Sequence, residues 1–256
     1  LFPVSLTPMS MPTINNYGNM PKADWLDYWR NYLRVKHGKS EVSSEEDLYL
    51  QVARTVNRKP IDHVTFVRII EDIRVGLDLQ MTDVLVDLCC GNGLFTYELK
   101  DKVSRIIAVD FADEIINTAR RLKPAYNIDY CLREVQLFLS EFSMRFPGVT
   151  PQKFLMNDSI AYFSIDELRQ MLVAMKQISA NGFTASFRGA PDDELKWNYY
   201  TTEEWKNKYL LSLEMGDEMH DGLGRWWHMQ QIESLCKELD LACKVLRQPE
   251  YLSNYR

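Results

Sequence analysis

The chain has 256 residues, a mass of 30.0 kDa and a formal net charge of −6, from 30 Lys and Arg against 36 Asp and Glu. Apolar residues make up 46% and charged residues 26%, which excludes an intrinsically disordered, collagen-like or disulfide-dense chain. The acidic balance disfavours a general nucleic-acid binder, because such proteins usually present a basic face. The composition is that of a soluble globular protein that can bury a sizeable core.

The sequence also carries signals about the compartment. No apolar run reaches the roughly 18 to 20 residues that a membrane span requires. The opening residues are apolar, but prolines interrupt them and no Lys or Arg precedes them, so they lack the features of a signal peptide. The five cysteines include no C-x-x-C pair and their number is odd, which argues against a disulfide framework. We therefore expect a cytoplasmic protein without a membrane span.

The first third of the chain is predicted to be an irregular arm followed by a helical cap. Residues 1–22 hold four of the ten prolines and are predicted to be the arm. Residues 23–80 are predicted to form the cap. Ser43 and Ser44, followed three residues on by Glu46 and Asp47, form a capping box that predicts the start of one of its helices. The first cap helix is indicated by four aromatic residues spaced as one face of a helix, Trp25, Tyr28, Trp29 and Tyr32.

From residue 81 onward, short apolar runs alternate with helical segments. This alternation predicts a doubly wound α/β domain over 81–256, with a mostly parallel sheet covered on both faces. A polar and aromatic insertion at about 189–227 is too long for an ordinary connection and is interpreted as an acceptor lobe or lid. The predicted strands are Val84–Leu88, Arg105–Asp110, Ile128–Leu132, Lys153–Asn157, 183–187 and 241–246.

The most informative segment joins the first predicted strand to the next helix. The strand carries a carboxylate, Asp87, and a tight loop with Gly91 and Gly93 follows it. Glycines in such a loop permit positive φ angles and let a ligand approach the backbone. The second predicted strand ends in Asp110, 17 residues beyond Gly93 (110 − 93). An acidic group at this position is suited to binding the two hydroxyls of a ribose.

Two ligand classes share this arrangement, dinucleotides and S-adenosylmethionine. The dinucleotide fingerprint requires a third glycine, and Thr96 stands at its position. An ionised Asp87 beside the loop would repel a pyrophosphate, whereas it can accept hydrogen bonds from a cationic amino group. Both details favour a ligand that carries an ammonium and a sulfonium.

These residues resemble the class I S-adenosylmethionine-dependent methyltransferases over about residues 82–247. Asp87-x-x-x-Gly91-x-Gly93 is similar to the first motif of that family, and Cys89 lies within the same cofactor loop. Asp110-Phe111 looks like the ribose-binding acid followed by a residue that stacks on adenine.

Further positions extend the resemblance. Glu134 and Val135 match the place where an acid usually binds the adenine amino group, with Glu in place of the commoner Asp. Asn157 lies in a segment similar to the one that passes beneath the methionine part of the cofactor. The resemblance implies a seven-stranded sheet, or a six-stranded one if the chain is truncated before the last strand.

The motif Cys-Cys-Gly-Asn-Gly and the segment 51–55 resemble the sequences of a bacterial subgroup of this family that is associated with polysaccharide or specialised-metabolite biosynthesis. Arg54, predicted to lie on a helix above the loop, is a candidate partner for the cofactor carboxylate, and Gln51 is a second candidate on the same helix. The alternative for both side chains is a structural or surface position.

Candidates for the reaction itself come from the far end of the predicted sheet and from the insertion. His220 and His228 are candidate proton acceptors, and Asp158 ends the fourth strand near the expected methyl group. Structural roles stay open for all three. No His, Cys, Asp or Glu spacing is diagnostic of a metal site, so none is predicted.

The sequence therefore predicts methyl transfer from S-adenosyl-L-methionine to a small-molecule acceptor, with a sugar or glycan intermediate as the leading candidate. Three alternatives stay open: a nicotinamide-dependent oxidoreductase, a non-catalytic binding protein with a methyltransferase-like fold, and a nucleic-acid methyltransferase. The last is disfavoured by the net charge. The aromatic surplus outside the sheet fits either a buried lobe or a homodimer.

Overall fold

A computed structural model of the protein describes residues 22–56, 59–215, 223–249 and 251–256. Residues 1–21, which make up almost all of the predicted arm, lie outside the described part. The cap consists of three helices and a short antiparallel ribbon. Its elements are α1 (Lys22–His37), α2 (Glu45–Gln51), β1 (Thr55–Val56), β2 (Lys59–Pro60) and α3 (His63–Gly76).

The predicted helix starts of the cap are confirmed. Ser44 caps α2, its side chain accepting from the Asp47 backbone N–H while the Asp47 side chain accepts from the Ser44 N–H. Asp62 caps α3 without a capping box, its Oδ1 accepting from the Thr65 N–H at 2.7 Å. Each cap satisfies a backbone donor that lacks a partner within the helix.

The centre of the described fold is a sheet of five parallel strands in the order β5-β4-β3-β6-β7. The predicted doubly wound α/β class is confirmed. The strands are β3 (Val84–Leu88), β4 (Arg105–Asp110), β5 (Ile128–Leu132), β6 (Lys153–Asn157) and β7 (Thr184–Arg188).

Helices connect and flank these strands. They are α4 (Asp113–Leu122), α5 (Val135–Arg145), α6 (Ile165–Ile178), α7 (Glu203–Glu214) and α8 (Met229–Glu238). The connection after β3 differs from the predicted helix, because Thr96–Lys102 forms a short 3₁₀ helix. The loop after β3 therefore leads into a tighter and shorter turn than an α-helix provides.

The expected six- or seven-stranded sheet is wrong for the described residues, since the predicted strand at 241–246 does not form. Residues 242–246 are exposed, and Leu246 keeps 71% of its surface accessible. The apolar run therefore lacks both a neighbouring strand and a buried face. Apolar periodicity alone does not distinguish a strand from an extended surface segment when no sheet edge receives it.

The two faces of the sheet belong to different cores. Alternate side chains of each strand point to opposite faces. Leu155 packs with Ile73 and the rest of the cap, whereas its neighbours Phe154 and Met156 pack with α5, α6 and α8. The cap and the Leu155 face of the sheet thus share one apolar core.

The strand order reverses between β3 and β6, which opens a crevice at their carboxyl ends. The cap covers this crevice, and α1 is tied to the start of α4 by an ion pair between Arg30 Nε and Asp113 Oδ1, 2.7 Å apart. Among the described residues, no helix is both long enough and apolar enough to cross a membrane.

Candidate functional site

The loop after β3 is held in an unusual backbone conformation that only certain residues tolerate. Cys89, Gly91 and Gly93 have φ angles of 57°, 60° and 75°. A Cβ atom on Gly93 would lie 2.5 Å from Tyr130 Oη, and one on Gly91 would lie 3.0 Å from Val52 Cγ1. Glycine is therefore required at position 93 by packing as well as by backbone angle.

Asp110 fixes this loop from the neighbouring strand. Its Oδ2 accepts from the Gly91 N–H at 2.9 Å and its Oδ1 from the Ala112 N–H at 2.9 Å. Burial raises the pKa of the Asp110 carboxyl despite these hydrogen bonds. Each carboxylate oxygen keeps acceptor capacity for a further donor, which is what two vicinal hydroxyls would require.

Asp87 lies deeper in the sheet and is 3% exposed. The Thr96 hydroxyl donates to its Oδ2 at 2.6 Å. Burial raises the pKa of Asp87 to about 7, and the negative charge of Asp110 adds to the effect although the Thr96 bond opposes it. A cationic group at this carboxylate would relieve the cost of its ionisation. Thr96, at the position of the third dinucleotide glycine, therefore helps to hold the carboxylate.

A cavity of about 390 Å³ opens above these residues at the carboxyl ends of the strands. Asp87, Cys89, Gly91 and Asp110 line it, but Gly93 does not. Three further predicted cofactor residues, Phe111, Glu134 and Val135, line the same side of the cavity. The ends of β3, β4 and β5 therefore bring together the predicted adenosine-binding set.

The opposite side of the cavity is formed by the ends of β6 and β7, beneath the cap. Asn157 lines it, and its Nδ2 is a buried donor without a partner among the described residues. Arg54 reaches it from the turn after α2, where its Nη1 pairs with Asp158 and its Nη2 donates to the Asn157 carbonyl at 3.2 Å. Arg256 Nη1 donates to the other Asp158 oxygen at 2.6 Å.

Asp158 is thus placed between two guanidinium groups. Burial by itself would raise the pKa of this carboxyl, but the charges of Arg54 and Arg256 outweigh burial and hold the pKa below its usual range. A carboxylate with a depressed pKa is a weak proton acceptor near neutral pH. Its geometry suits it to positioning the arginines.

Several predicted residues lie elsewhere. Gln51 is buried behind the loop, where its Nε2 donates to Thr118 Oγ1 at 3.2 Å and its Oε1 accepts from Asn92 Nδ2 at 3.0 Å. His228 occupies the N-cap position of α8 without a side-chain capping hydrogen bond. Its side chain is 55% exposed, and its Nδ1 lies 3.5 Å from Asp193 Oδ2. Neither side chain lines the cavity. His220 lies outside the described residues.

The aromatic residues of the insertion mostly pack against one another. Tyr200 stacks on Tyr209 with ring centroids 4.5 Å apart, and Trp226 lies 5.8 Å from Tyr200. Trp227 is the exception, because it is 1% exposed and packs into the apolar cluster of the sheet, α5, α6 and α8. The contact of this lobe with the cavity comes through Tyr255, whose ring lies 5.0 Å from that of Tyr199. The lobe therefore has a small core of its own.

Sequence reasoning missed some of the lining residues, namely Trp29, Tyr162, Arg188, Tyr255 and Arg256. Arg188 carried a usable signal, because it ends β7 just as Asp110 ends β4. Trp29 belongs to the aromatic face by which the sequence indicated the first cap helix. The Arg256 side chain reaches the cavity by tertiary packing, which local sequence does not record.

Comparison with known proteins gives a consistent result. No protein-family model matches the chain. A segment of 55 residues is 34% identical to the uncharacterized methyltransferase C70.08c of Schizosaccharomyces pombe and covers 22% of this chain. The match spans 21% of that relative's length.

Solved structures match over most of the chain. A S-adenosylmethionine-dependent methyltransferase from Anabaena variabilis superposes with a TM-score of 0.54 and 15% identity, over 88% of this chain and 84% of its own. The cyclopropane synthase MmaA2 from Mycobacterium tuberculosis superposes with a TM-score of 0.52 and 11% identity, over 83% and 69%. This chain has a methyltransferase fold. The cavity described above lies in the crevice where the strand order of this fold reverses.

Proposed function

We propose that this chain transfers a methyl group from S-adenosyl-L-methionine to a small-molecule acceptor. The observation that carries the proposal is the cavity at the point where the strand order reverses. Asp110 lines this cavity and accepts from the backbone N–H groups of Gly91 and Ala112, and its remaining lone pairs would accept from ribose hydroxyls. The methyltransferase fold of the chain and the short match to a methyltransferase support the same reaction class.

The residues present fit this cofactor in charge and in hydrogen-bonding capacity. Asp110 would accept from the ribose hydroxyls, Phe111 would contact the adenine ring, and Glu134 would accept from the adenine amino group. Asp87 would balance the ammonium, and Arg54 would bind the carboxylate. Within the part of the chain that the structure describes, Asn157 Nδ2 and Arg54 Nε are buried donors without a partner, and an acceptor atom of the ligand would satisfy them.

The bound cofactor supplies an electrophilic methyl group, and the protein contributes position and exclusion of water. Trp29 and Tyr162, whose ring centroids are 6.1 Å apart, close the cavity on the cap side. Asp158 holds Arg54 and Arg256 in place, and its low pKa makes it a positioning residue in this scheme. For the acceptor we retain a sugar or glycan intermediate as the leading class, on the subgroup resemblance.

A nicotinamide-dependent oxidoreductase is disfavoured by the same loop. A pyrophosphate usually binds at the N-terminus of an α-helix, and the segment after this loop is a short 3₁₀ helix. Asp87 would also place a carboxylate close to the phosphates.

The test is calorimetric titration of the full chain with S-adenosylhomocysteine, with NAD as the matched control in the same buffer. We expect micromolar binding of S-adenosylhomocysteine and no binding of NAD. Binding of NAD alone would overturn the proposal in favour of a dehydrogenase. Binding of neither ligand would favour a non-catalytic protein with a methyltransferase-like fold.

A further inference from the structure

The charged residues that line the cavity form two groups, one of carboxylates and one in which arginines outnumber a single carboxylate. The carboxylates of Asp87, Asp110 and Glu134 lie at the ends of β3, β4 and β5, on the predicted adenosine side. The three arginines that line the cavity gather around Asp158 at the ends of β6 and β7. The second group exceeds what a cofactor carboxylate would need, because one guanidinium is sufficient to bind one carboxylate in a bidentate manner.

Arg188 has few partners in this group. It ends β7 opposite Asn157 in the sheet register, and its side chain is 20% exposed. Its carboxylate neighbour is Asp72, with 3.8 Å between Arg188 Nη2 and Asp72 Oδ2, which is beyond hydrogen-bond distance. Within the described residues, no hydrogen bond satisfies the five donors of this guanidinium.

Arg256 is also incompletely paired. Its side chain is 20% exposed, and one nitrogen donates to Asp158. Its Nε is buried without a partner in the described part of the chain. The guanidinium lies over the Tyr255 ring at 5.3 Å, so one face is already covered and the edges are left for hydrogen bonds.

A buried donor without a partner, such as Arg256 Nε in the described part of the chain, is costly. A guanidinium such as that of Arg188 or Arg256 is shaped to donate two parallel hydrogen bonds to a planar or tetrahedral oxyanion. We propose that Arg188 and Arg256 bind an oxyanion of the methyl acceptor, a carboxylate or a phosphate, while Arg54 binds the cofactor. This inference rests on the proposed function, because it assigns the arginine side of the cavity to the acceptor. It narrows the acceptor class to acidic small molecules, such as a sugar acid or a phosphorylated intermediate.

The test uses benzoate, phenyl phosphate and benzamide as probes on the full chain saturated with S-adenosylhomocysteine. Benzamide has nearly the shape of benzoate without its charge, so it separates anion recognition from binding of the ring. We expect at least one anion to bind at least tenfold more tightly than benzamide. Tighter binding of benzoate would assign a carboxylate, and tighter binding of phenyl phosphate would assign a phosphate. Equal affinities for all three probes would overturn the proposal.

Two variants locate the site. Arg188→Gln and Arg256→Gln should each weaken binding of the preferred anion at least tenfold and change the affinity for S-adenosylhomocysteine less than twofold. Arg169→Gln is the matched control, because Arg169 is an exposed arginine paired with Glu238 on α8. Unchanged anion binding in Arg188→Gln would overturn the assignment, whatever the effect of Arg256→Gln on the local fold.

The outcomes separate the two proposals. If S-adenosylhomocysteine binds but the anions do not, the further inference fails and the proposed function stands. If S-adenosylhomocysteine does not bind to a folded protein, the proposed function fails. Anion binding that is lost in Arg188→Gln would then still identify an oxyanion site, but not an acceptor site.

Discussion

At the residue scale, the central feature of the site is a carboxylate that is bound to the loop and also available to a ligand. Asp110 accepts two backbone N–H groups, and both of its acceptors define the conformation of the loop after β3. The same oxygens would accept from the ribose. We therefore expect cofactor affinity and loop geometry to depend on this one side chain.

Asp110→Ala should weaken S-adenosylhomocysteine binding by about 1 to 3 kcal/mol, about 5- to 150-fold, because hydrogen bonds to an ionised group are lost. Calorimetry measures the change, and circular dichroism checks that the variant is folded. Asp129→Ala is the control, since Asp129 is a partly exposed acid paired with Arg105. An unchanged affinity in Asp110→Ala would place the adenosine site elsewhere.

The pKa of Asp87 leads to a prediction about pH. Burial raises this pKa to about 7, so the carboxyl of the free protein is mostly protonated below pH 7. An ammonium bound beside it favours the ionised form, so binding releases a proton and the affinity falls as the pH is lowered. The fall approaches about tenfold per pH unit well below pH 7.

Titrations with S-adenosylhomocysteine between pH 5.5 and 8 measure this effect. The control ligand is methylthioadenosine, which carries the adenosine but not the ammonium, and its affinity should vary much less. Asp87→Asn should remove the difference in pH dependence between the affinities for S-adenosylhomocysteine and methylthioadenosine. The same pH dependence for both ligands would contradict a role for Asp87 toward the ammonium.

Arg54 is the candidate partner of the cofactor carboxylate. Arg54→Ala should weaken S-adenosylhomocysteine about tenfold or more, because a charge-assisted hydrogen bond is lost, and should leave methylthioadenosine within about twofold. Asp158 keeps Arg256 as a partner in this variant. Calorimetry measures both affinities. Equal losses of affinity for the two ligands would show that Arg54 maintains the shape of the cavity and does not bind the cofactor carboxylate.

At the element scale, the turn after β3 depends on its packing against β5. Gly93 combines a φ of 75° with a Cβ position 2.5 Å from Tyr130 Oη, whereas Gly182 has a φ of 85° and open space around its Cβ position. A residue other than glycine at either position would have to adopt a left-handed backbone, which costs about 1 to 2 kcal/mol.

Gly93→Ala should therefore lower the free energy of unfolding by more than Gly182→Ala does, as measured by urea denaturation. The loss of unfolding free energy caused by Gly93→Ala should be smaller in a protein that already carries Tyr130→Phe, because the overlapping hydroxyl is removed. Tyr130→Phe alone provides the reference, since it also loses the hydrogen bond to the Lys123 carbonyl. Equal losses in the two alanine variants would show that Tyr130 moves aside freely.

The elements that sequence predicted well are those whose signals are local. The capping box at Ser44 starts α2, and the strand that ends in Asp110 was predicted at its observed bounds. The run at 241–246 has a similar apolar pattern but no strand beside it, and only the tertiary structure decides this.

The candidate site divides in the same way. Gly91 and Asp110 stand at strand ends, so topology alone brings them together. The pairing of Arg54 and Arg256 with Asp158 joins residues about 100 positions apart, which no spacing rule records. His228 was proposed from its place near the insertion, but helix α8 directs it away from the cavity lining.

At the scale of the whole molecule, the cap and one face of the sheet form one core. Ile73 of α3 and Leu85 and Leu155 of the sheet are buried in the same apolar cluster. The predicted cap at 23–80 and the domain at 81–256 are therefore contiguous in sequence but not separate in packing.

Unfolding should consequently follow a single transition, with tryptophan fluorescence and far-UV circular dichroism changing together. Ile73→Ala should lower the free energy of unfolding by about 2 to 5 kcal/mol while the transition stays single. Val75→Ala, at a 59% exposed position of the same helix, should change it by less than about 0.5 kcal/mol. Two separate transitions would show that the cap folds independently.

The charged residues of the cavity fall into two groups, carboxylates on the predicted adenosine side and three described arginines around Asp158 on the side of β6 and β7. The most direct test of this account is a crystal structure of the complex with S-adenosylhomocysteine. The account predicts the ribose hydroxyls within hydrogen-bond distance of Asp110 and the ligand carboxylate on Arg54. A ligand bound outside this cavity, or with its adenosine among the arginines, would contradict it.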